Sequence, residues 1–98
     1  MYGGARVEQV FVGREQGRWT VRLVLEDPAG ARRRETLPTP AERPEEALDV
    51  AARHLARRAD VDGFVRLRVR LARGGDLEDR PAWADRLRAA YAREVDAA

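Results

Sequence analysis

Residues 64–72 read FVRLRVRLA, an alternation of apolar side chains with arginine that is typical of a β-strand with one buried face. The apolar positions, which we expect to face the core, are Val65, Leu67, Val69 and Leu71. The residues between them, which we expect on the other face, are Arg66, Arg68 and Arg70. The stretch therefore predicts a sheet that is buried on one face and carries a row of arginines on the other.

The segment before this strand has the pattern of an amphipathic helix, predicted over residues 44–59. Pro44 fits a first helical position, and the acidic Glu45 and Glu46 favour the positive end of a helix dipole. The apolar residues that recur with helical spacing are Leu48, Ala51, Ala52, Leu55 and Ala59. Because this helix joins the third and fourth predicted strands, a right-handed crossover can place the fourth strand parallel to an earlier one.

The N-terminal third of the chain predicts an antiparallel three-strand meander. Residues 7–12 are rich in strand-forming side chains, and residues 19–26 alternate between two faces. Turns that contain glycine or proline separate these two segments from each other and from residues 32–37. The third of these segments is polar, which suits an exposed edge strand. Residues 38–43 contain two prolines and predict a connector between this strand and the helix.

A last helix is predicted to open at Asp79-Arg80-Pro81. The whole chain, residues 1–98, is thus expected to be a single small α+β domain of order β-β-β-α-β-α, with a meander, a fourth strand and both helices packed on the sheet. The order resembles that of small ribonuclease-H-like domains and their antitoxin relatives. Such enzymes need acidic residues on the first and fourth strands, where this chain has arginines on strand four, so the resemblance implies no activity.

Composition excludes several kinds of site. The 98 residues contain no cysteine and no serine, which removes disulfides, thiolate metal sites and the usual nucleophiles. No apolar run is long enough for a membrane span, and the N-terminus lacks the apolar stretch of a signal peptide. We therefore expect a cytoplasmic protein that does not contact a membrane.

The remaining chemistry-bearing residues do not predict a catalytic, metal or cofactor site. His54, the single histidine, could move protons, but acid–base catalysis needs a positioned partner that the sequence does not indicate. Asp76, Glu78 and Asp79 could bind a hard cation, but acids before a helix more often cap it. We expect neither an enzyme nor a bound cofactor or metal, with a His54-centred activity as the residual possibility.

The charge pattern indicates a binding surface. The formal net charge is only +2, yet residues 64–73 contain four arginines and no acid. Arg66, Arg68 and Arg70, with Arg22 on strand two, form the candidate site. Successive arginines lie roughly 6.6 Å apart on a strand, similar to the spacing of phosphates along a nucleic-acid strand.

Three interpretations of this arginine face stay open at this point. Apolar side chains on the same face favour a protein-interaction module that forms homo-oligomers or binds a protein partner. The alternative is a module that binds nucleic acid through the arginines, and the third is a solvated or internally covered face. The first is preferred, with self-association through the sheet or a helix surface. The sequence does not show which sheet face the last helix covers.

Overall fold

The computed structural model describes residues 4–97, which form one five-stranded mixed sheet and two α-helices. The elements in chain order are β1 (Ala5–Glu15), β2 (Arg18–Glu26), β3 (Arg32–Ala41), α1 (Pro44–Ala56), β4 (Val61–Arg73), β5 (Asp76–Asp79) and α2 (Pro81–Ala97). The strands lie side by side in the order β3-β2-β1-β4-β5. The α+β class and the small single domain are therefore confirmed, whereas the strand number and order differ from the prediction.

The central strand β1 has a strand on each side. It pairs antiparallel with β2 and parallel with β4, and β2 pairs antiparallel with β3. A parallel neighbour needs a crossover connection, and α1 supplies it by passing over one face of the sheet from the β3 edge.

Strand β3 is longer than predicted, because it continues to Ala41 through Pro38 and Pro40. The predicted connector is therefore wrong for residues 38–41, and only residues 42–43 connect β3 to α1. Proline is tolerated here because β3 is an edge strand, where a missing N–H group need not interrupt the pairing with β2. Leu37, Thr39 and Ala41 alternate into the protein, each with about 2% of its surface exposed.

The structure contains a fifth strand, β5, that the predicted four-strand sheet lacks, so the predicted number of strands is wrong. It follows the two-residue turn of Gly74 and Gly75, whose φ angles of 56° and 95° are the left-handed values that tight hairpins need. All four residues of β5 are exposed, so no apolar alternation marks them as a strand.

Both helices pack on the same face of the sheet. The shared core contains, among others, Val10, Val12, Leu23, Leu25, Leu48, Leu55, Leu71, Trp83 and Leu87. Helix α1 ends at Ala56, three residues before the predicted end, and α2 lies beside α1 and against β4. The opposite face of the sheet has no helix over it in residues 4–97. Neither helix in this part of the chain is long and apolar enough to cross a membrane, and the cytoplasmic location stays a prediction.

An ion cluster joins the end of α1 to β3. Arg58 donates to Glu35 and to Asp60, each at 2.7 Å, and Arg33 donates to Asp60 at 3.1 Å. The hydrogen bond from Arg58 lowers the pKa of Asp60 to about 2. Asp60 also accepts the backbone N–H of Ala5 at 2.8 Å, so the start of β1 and the start of β4 meet at this residue.

This junction leaves no room for a side chain at Gly4. A Cβ atom there would lie 2.5 Å from the carbonyl oxygen of Asp60, closer than a Cβ atom approaches a non-bonded neighbour in proteins. We expect Gly4→Ala to lower the free energy of unfolding by about 1–3 kcal/mol, because the backbone of β1 or β4 must shift. Urea unfolding followed by tryptophan fluorescence measures this change.

Gly13→Ala is the matched control, since its Cβ would make an ordinary contact of 3.6 Å with the Ala72 Cβ. We expect it to unfold at the wild-type denaturant concentration or slightly above it, because alanine suits a strand better than glycine. Equal destabilisation by the two substitutions would contradict the close packing at Gly4.

Candidate binding face of the sheet

The sheet face opposite the helices is called here the open face. Its positions follow from the strand registers, because paired residues on neighbouring strands point to the same side. From the β3 edge to the β5 edge, its main residues are Arg34, Thr36, Arg22, Val24, Gln9, Phe11, Arg68, Arg70, Leu77 and Asp79.

Phe11 lies at the centre of the open face. It is directly opposite Arg22 on β2 and Arg70 on β4, so an arginine flanks the ring on each side. The guanidinium carbon of Arg70 is 5.2 Å from the ring centroid, within the range of a cation–π contact. Val24 belongs to the same apolar centre and is 9% exposed, although it lies outside the helix-covered core.

The open face contains a shallow groove of about 1040 Å³. Its lining includes Phe11, Gly13, Val24 and Arg34, and the β4–β5 hairpin with Leu77 borders it on one side. Leu77 is the most exposed large apolar residue of the described chain, at 51%. The groove therefore combines an apolar centre with a charged border, the composition that protein interfaces often have.

The structure brings Arg22, Arg68 and Arg70 onto this face, and each already has a partner within the chain. Arg22 pairs with Glu15, and Arg68 donates twice to Asp79, both at 3.1 Å. Arg70 donates to the side-chain oxygen of Gln9 at 2.6 Å and lies 3.9 Å from Asp79.

Arg66, the fourth candidate residue, does not continue the row regularly. Its φ angle is 46°, and the β1–β4 register shifts in this region, so the alternation predicted for residues 64–72 holds only from Leu67 onward. Val65 is accordingly half-buried and lies outside the core. Arg66 is 3.4 Å from Glu26 and 3.5 Å from Glu8, at the end of the open face where β4 begins.

Glu8 is an acid of this region that lies outside the candidate set of four arginines and partly neutralises the arginine face. It is 8% exposed and accepts two hydrogen bonds from Arg32, at 3.0 and 3.2 Å. These bonds lower the pKa of Glu8, against the raising effect of its partial burial. The signal in the sequence is a lone acid between Val7 and Val10, but the bulge that turns it toward Arg32 is not visible there.

The residual catalytic candidate, His54, lies elsewhere. It is exposed on α1, on the helix side of the molecule, and no hydrogen bond or ion pair is found for it within residues 4–97. The same residues contain no group of three or more histidine, cysteine or acidic side chains arranged to hold a metal ion.

No protein-family model matches the chain, and no curated protein or solved structure shows significant similarity to it. The function must therefore be argued from the open face itself.

The lowered pKa of Glu8 predicts how the face responds to acid. A carboxylate with a depressed pKa in the folded state stabilises the fold above its ordinary value of 4.5, and this contribution is lost as the pH falls through the folded-state value. We expect Glu8→Gln to be less stable than the wild type at pH 7. The difference should shrink as the pH falls below about 4.5, because the wild-type carboxyl then becomes neutral as well.

Urea midpoints at pH 7 and pH 3 test this expectation. Glu42→Gln is the control, since Glu42 is exposed and no ion pair is found for it in the described part of the chain. A stability difference for Glu8→Gln that does not change with pH would show that the charge of Glu8 does not act as inferred.

Proposed function

We propose that this protein is a non-enzymatic interaction module that self-associates through the open face of its sheet. The observation that carries the proposal is the apolar centre at Phe11 and Val24, bordered by arginines that are already paired with acids of the same face. A second protein can cover a surface of this kind without breaking these ion pairs.

The charge balance of the open face supports a protein partner over a polyanion. Its arginines are Arg22, Arg32, Arg34, Arg66, Arg68 and Arg70. The acids that pair with them are Glu8, Glu15, Glu26 and Asp79. Binding a phosphate backbone would require these pairs to open, which reduces the electrostatic gain on which nucleic-acid binding depends.

The size of the face indicates a weak association. Strands about 4.8 Å apart and residues about 3.3 Å apart along them give the open face a footprint of roughly 20 Å by 20 Å. Two such surfaces in contact would bury on the order of 1,000 Å², which is at the lower limit for specific interfaces. We therefore expect a dimer whose population depends on protein concentration.

Phe11→Thr tests this proposal, because it removes the central aromatic side chain and keeps a residue that suits a β-strand. We expect the dissociation constant of the dimer to rise by about tenfold or more, as the loss of a central aromatic contact does in other interfaces. Sedimentation velocity over a range of concentrations measures this constant, with circular dichroism to confirm folding.

Val95→Thr is the matched control, since Val95 is 44% exposed on α2, away from the open face. It should leave the dissociation constant unchanged. A wild-type protein that stays monomeric at high micromolar concentration, or an equal effect of both substitutions, would refute the proposal.

Nucleic-acid binding is the alternative, and one observation favours it. Arg34 lines the groove and has no ion pair within residues 4–97, so its guanidinium group could contact phosphate. Arg22, Arg66, Arg68 and Arg70 would then extend the cationic surface.

This alternative predicts salt-sensitive binding of oligonucleotides that Arg68→Glu weakens. Fluorescence anisotropy with single-stranded and duplex oligonucleotides, at low and physiological salt, measures the affinity. Arg93→Glu, an equal change of charge on the exposed side of α2, is the control. If Arg68→Glu and Arg93→Glu reduce the affinity equally, the binding is unspecific attraction to net charge and not recognition by the open face.

A further inference from the structure

We propose that the free edge of β4, beside α2, binds an extended acidic segment of another protein as an added strand. This edge is separate from the apolar centre of the open face, and the proposal does not depend on the proposed self-association.

The first observation is that most of β4 has a neighbouring strand on one side only. Strand β4 covers Val61–Arg73, but β5 pairs with it only from Arg70 to Arg73. At Arg80 the chain leaves the sheet and enters α2. Within residues 4–97 no other strand lies on this side of β4, so residues 61–69 form an edge of the sheet.

The direction of the backbone groups at this edge follows from the β4–β5 hairpin. In a two-residue hairpin the residues that flank the turn, here Arg73 and Asp76, exchange both backbone hydrogen bonds, and every second residue repeats this direction. Val69 follows the pattern, because its carbonyl oxygen accepts the N–H of Arg80 at 2.9 Å. The next residue of the series is Leu67, so its N–H and C=O groups point outward, where no strand of the described chain pairs with them.

A groove accompanies this edge. Helix α2 follows β5 and runs back along β4, since the Tyr91 ring near its far end lies 5.0 Å from the ring of Phe64, near the start of β4. The groove between the edge and the helix has a volume of about 340 Å³. The apolar part of its lining consists of Leu67, Val69, Pro81 and Ala84. A strand in the position of a longer β5 would pair with β4 and pack every second side chain against this lining.

The charges around the groove favour an acidic occupant, because three arginines and two acids line it. An added strand places its other side chains opposite Arg68, on the open-face side. Arg68 uses two of its five N–H donors for Asp79, and the others find no acceptor within residues 4–97. The one ion pair of Arg88 in this part of the chain is with Asp85 of the same helix, at 3.7 Å. Both arginines can therefore pair with acids of an added strand.

A second copy of this chain fits the edge less well than an acidic segment. Two-fold pairing of β4 with itself about Leu67 would set Arg66 beside Arg68 of the other copy, and pairing about Arg68 would set this residue against itself. Like charges directly opposite each other are destabilising in a sheet. The arginines thus oppose pairing between identical chains, which is a common protection of sheet edges, and favour a segment in which acids alternate with apolar residues.

Hydrogen exchange measured by NMR tests whether the edge is free. We expect the Leu67 amide to exchange at least about a hundredfold faster than the Arg68 amide, because the N–H of Arg68 points to β1 and is paired there. Equal protection of the two amides would show that the edge is already covered, and the proposal would fail.

A short peptide in which glutamate alternates with valine is the binding probe. On an added antiparallel strand its valines lie opposite Leu67, on the helix side, and its glutamates lie opposite Arg68. Titrated into isotope-labelled protein, it should shift the amide signals of Leu67 and Val69 and slow the exchange of Leu67, with a dissociation constant of about 1 mM or lower. Shifts centred on Phe11, or no shift at several times this concentration, would overturn the proposal.

Two methylated peptides separate strand addition from simple attraction of charge. Residues opposite Leu67 donate their N–H groups to β4, so N-methylation of the valines should abolish binding. N-methylation of the glutamates, whose N–H groups point away from β4, should leave it nearly unchanged. Equal effects of the two modifications would contradict pairing with the edge.

The acidic preference is tested on both partners. A peptide with lysine in place of glutamate should bind at least about tenfold more weakly, and Arg88→Glu should weaken the glutamate peptide about fivefold. Arg93→Glu is the matched control, since Arg93 is exposed on the same helix but does not line the groove, and it should have little effect. Equal affinities for the two peptides, or equal effects of the two substitutions, would refute an acidic partner.

The edge site and the proposed self-association can fail independently. Phe11→Thr, which should weaken the dimer, should bind the glutamate peptide as tightly as the wild type does. If the substitution abolishes peptide binding in a folded protein, the peptide occupies the open face and the edge site is wrong.

Discussion

The parallel pairing of β1 with β4 is the contact on which the rest of the structure depends. Parallel neighbours cannot be joined by a tight turn, so the chain must leave the β3 edge and pass over the sheet as α1 before it returns as β4. Helix α2 then packs beside α1 and against β4, which places both helices on one face. The described chain has no element left to cover the other face, and its side chains must be solvated, paired with one another or covered by a second molecule.

The open face meets this requirement mainly through ion pairs between strands. Arg68 is paired with Asp79 on β5, Arg32 with Glu8 on β1, and Arg22 with Glu15 at the end of β1. Exposed pairs of this kind contribute little to stability. Their importance here is geometric, because they hold the long side chains along the sheet around the apolar centre at Phe11.

The sequence predicts correctly those elements in which apolar residues recur at regular intervals. The alternation of residues 67–71 and the apolar stripe of α1 correctly indicate a strand and a helix, because burial on one face leaves a repeating pattern. The pattern fails for β5, whose residues are all exposed, and for the end of β3, where proline suggests a connector but an edge strand tolerates it. The bulge at Arg66 arises where β1 and β4 pair with a shifted register. The alternation of apolar and polar residues within either strand does not indicate this shift.

The candidate site shows the same division between local pattern and distant pairing. Sequence alternation is enough to place Arg68 and Arg70 on one face, but their partners come from elsewhere in the chain. Gln9, which accepts from Arg70, is 61 positions away. A row of free arginines and a row of paired arginines look the same in the sequence, yet they differ in what they can bind. A guanidinium group that is paired with a carboxylate keeps this partner when another protein covers it, so covering it costs less than covering a free cation. For this reason the ion pairs, more than the arginines themselves, favour a protein partner for the open face.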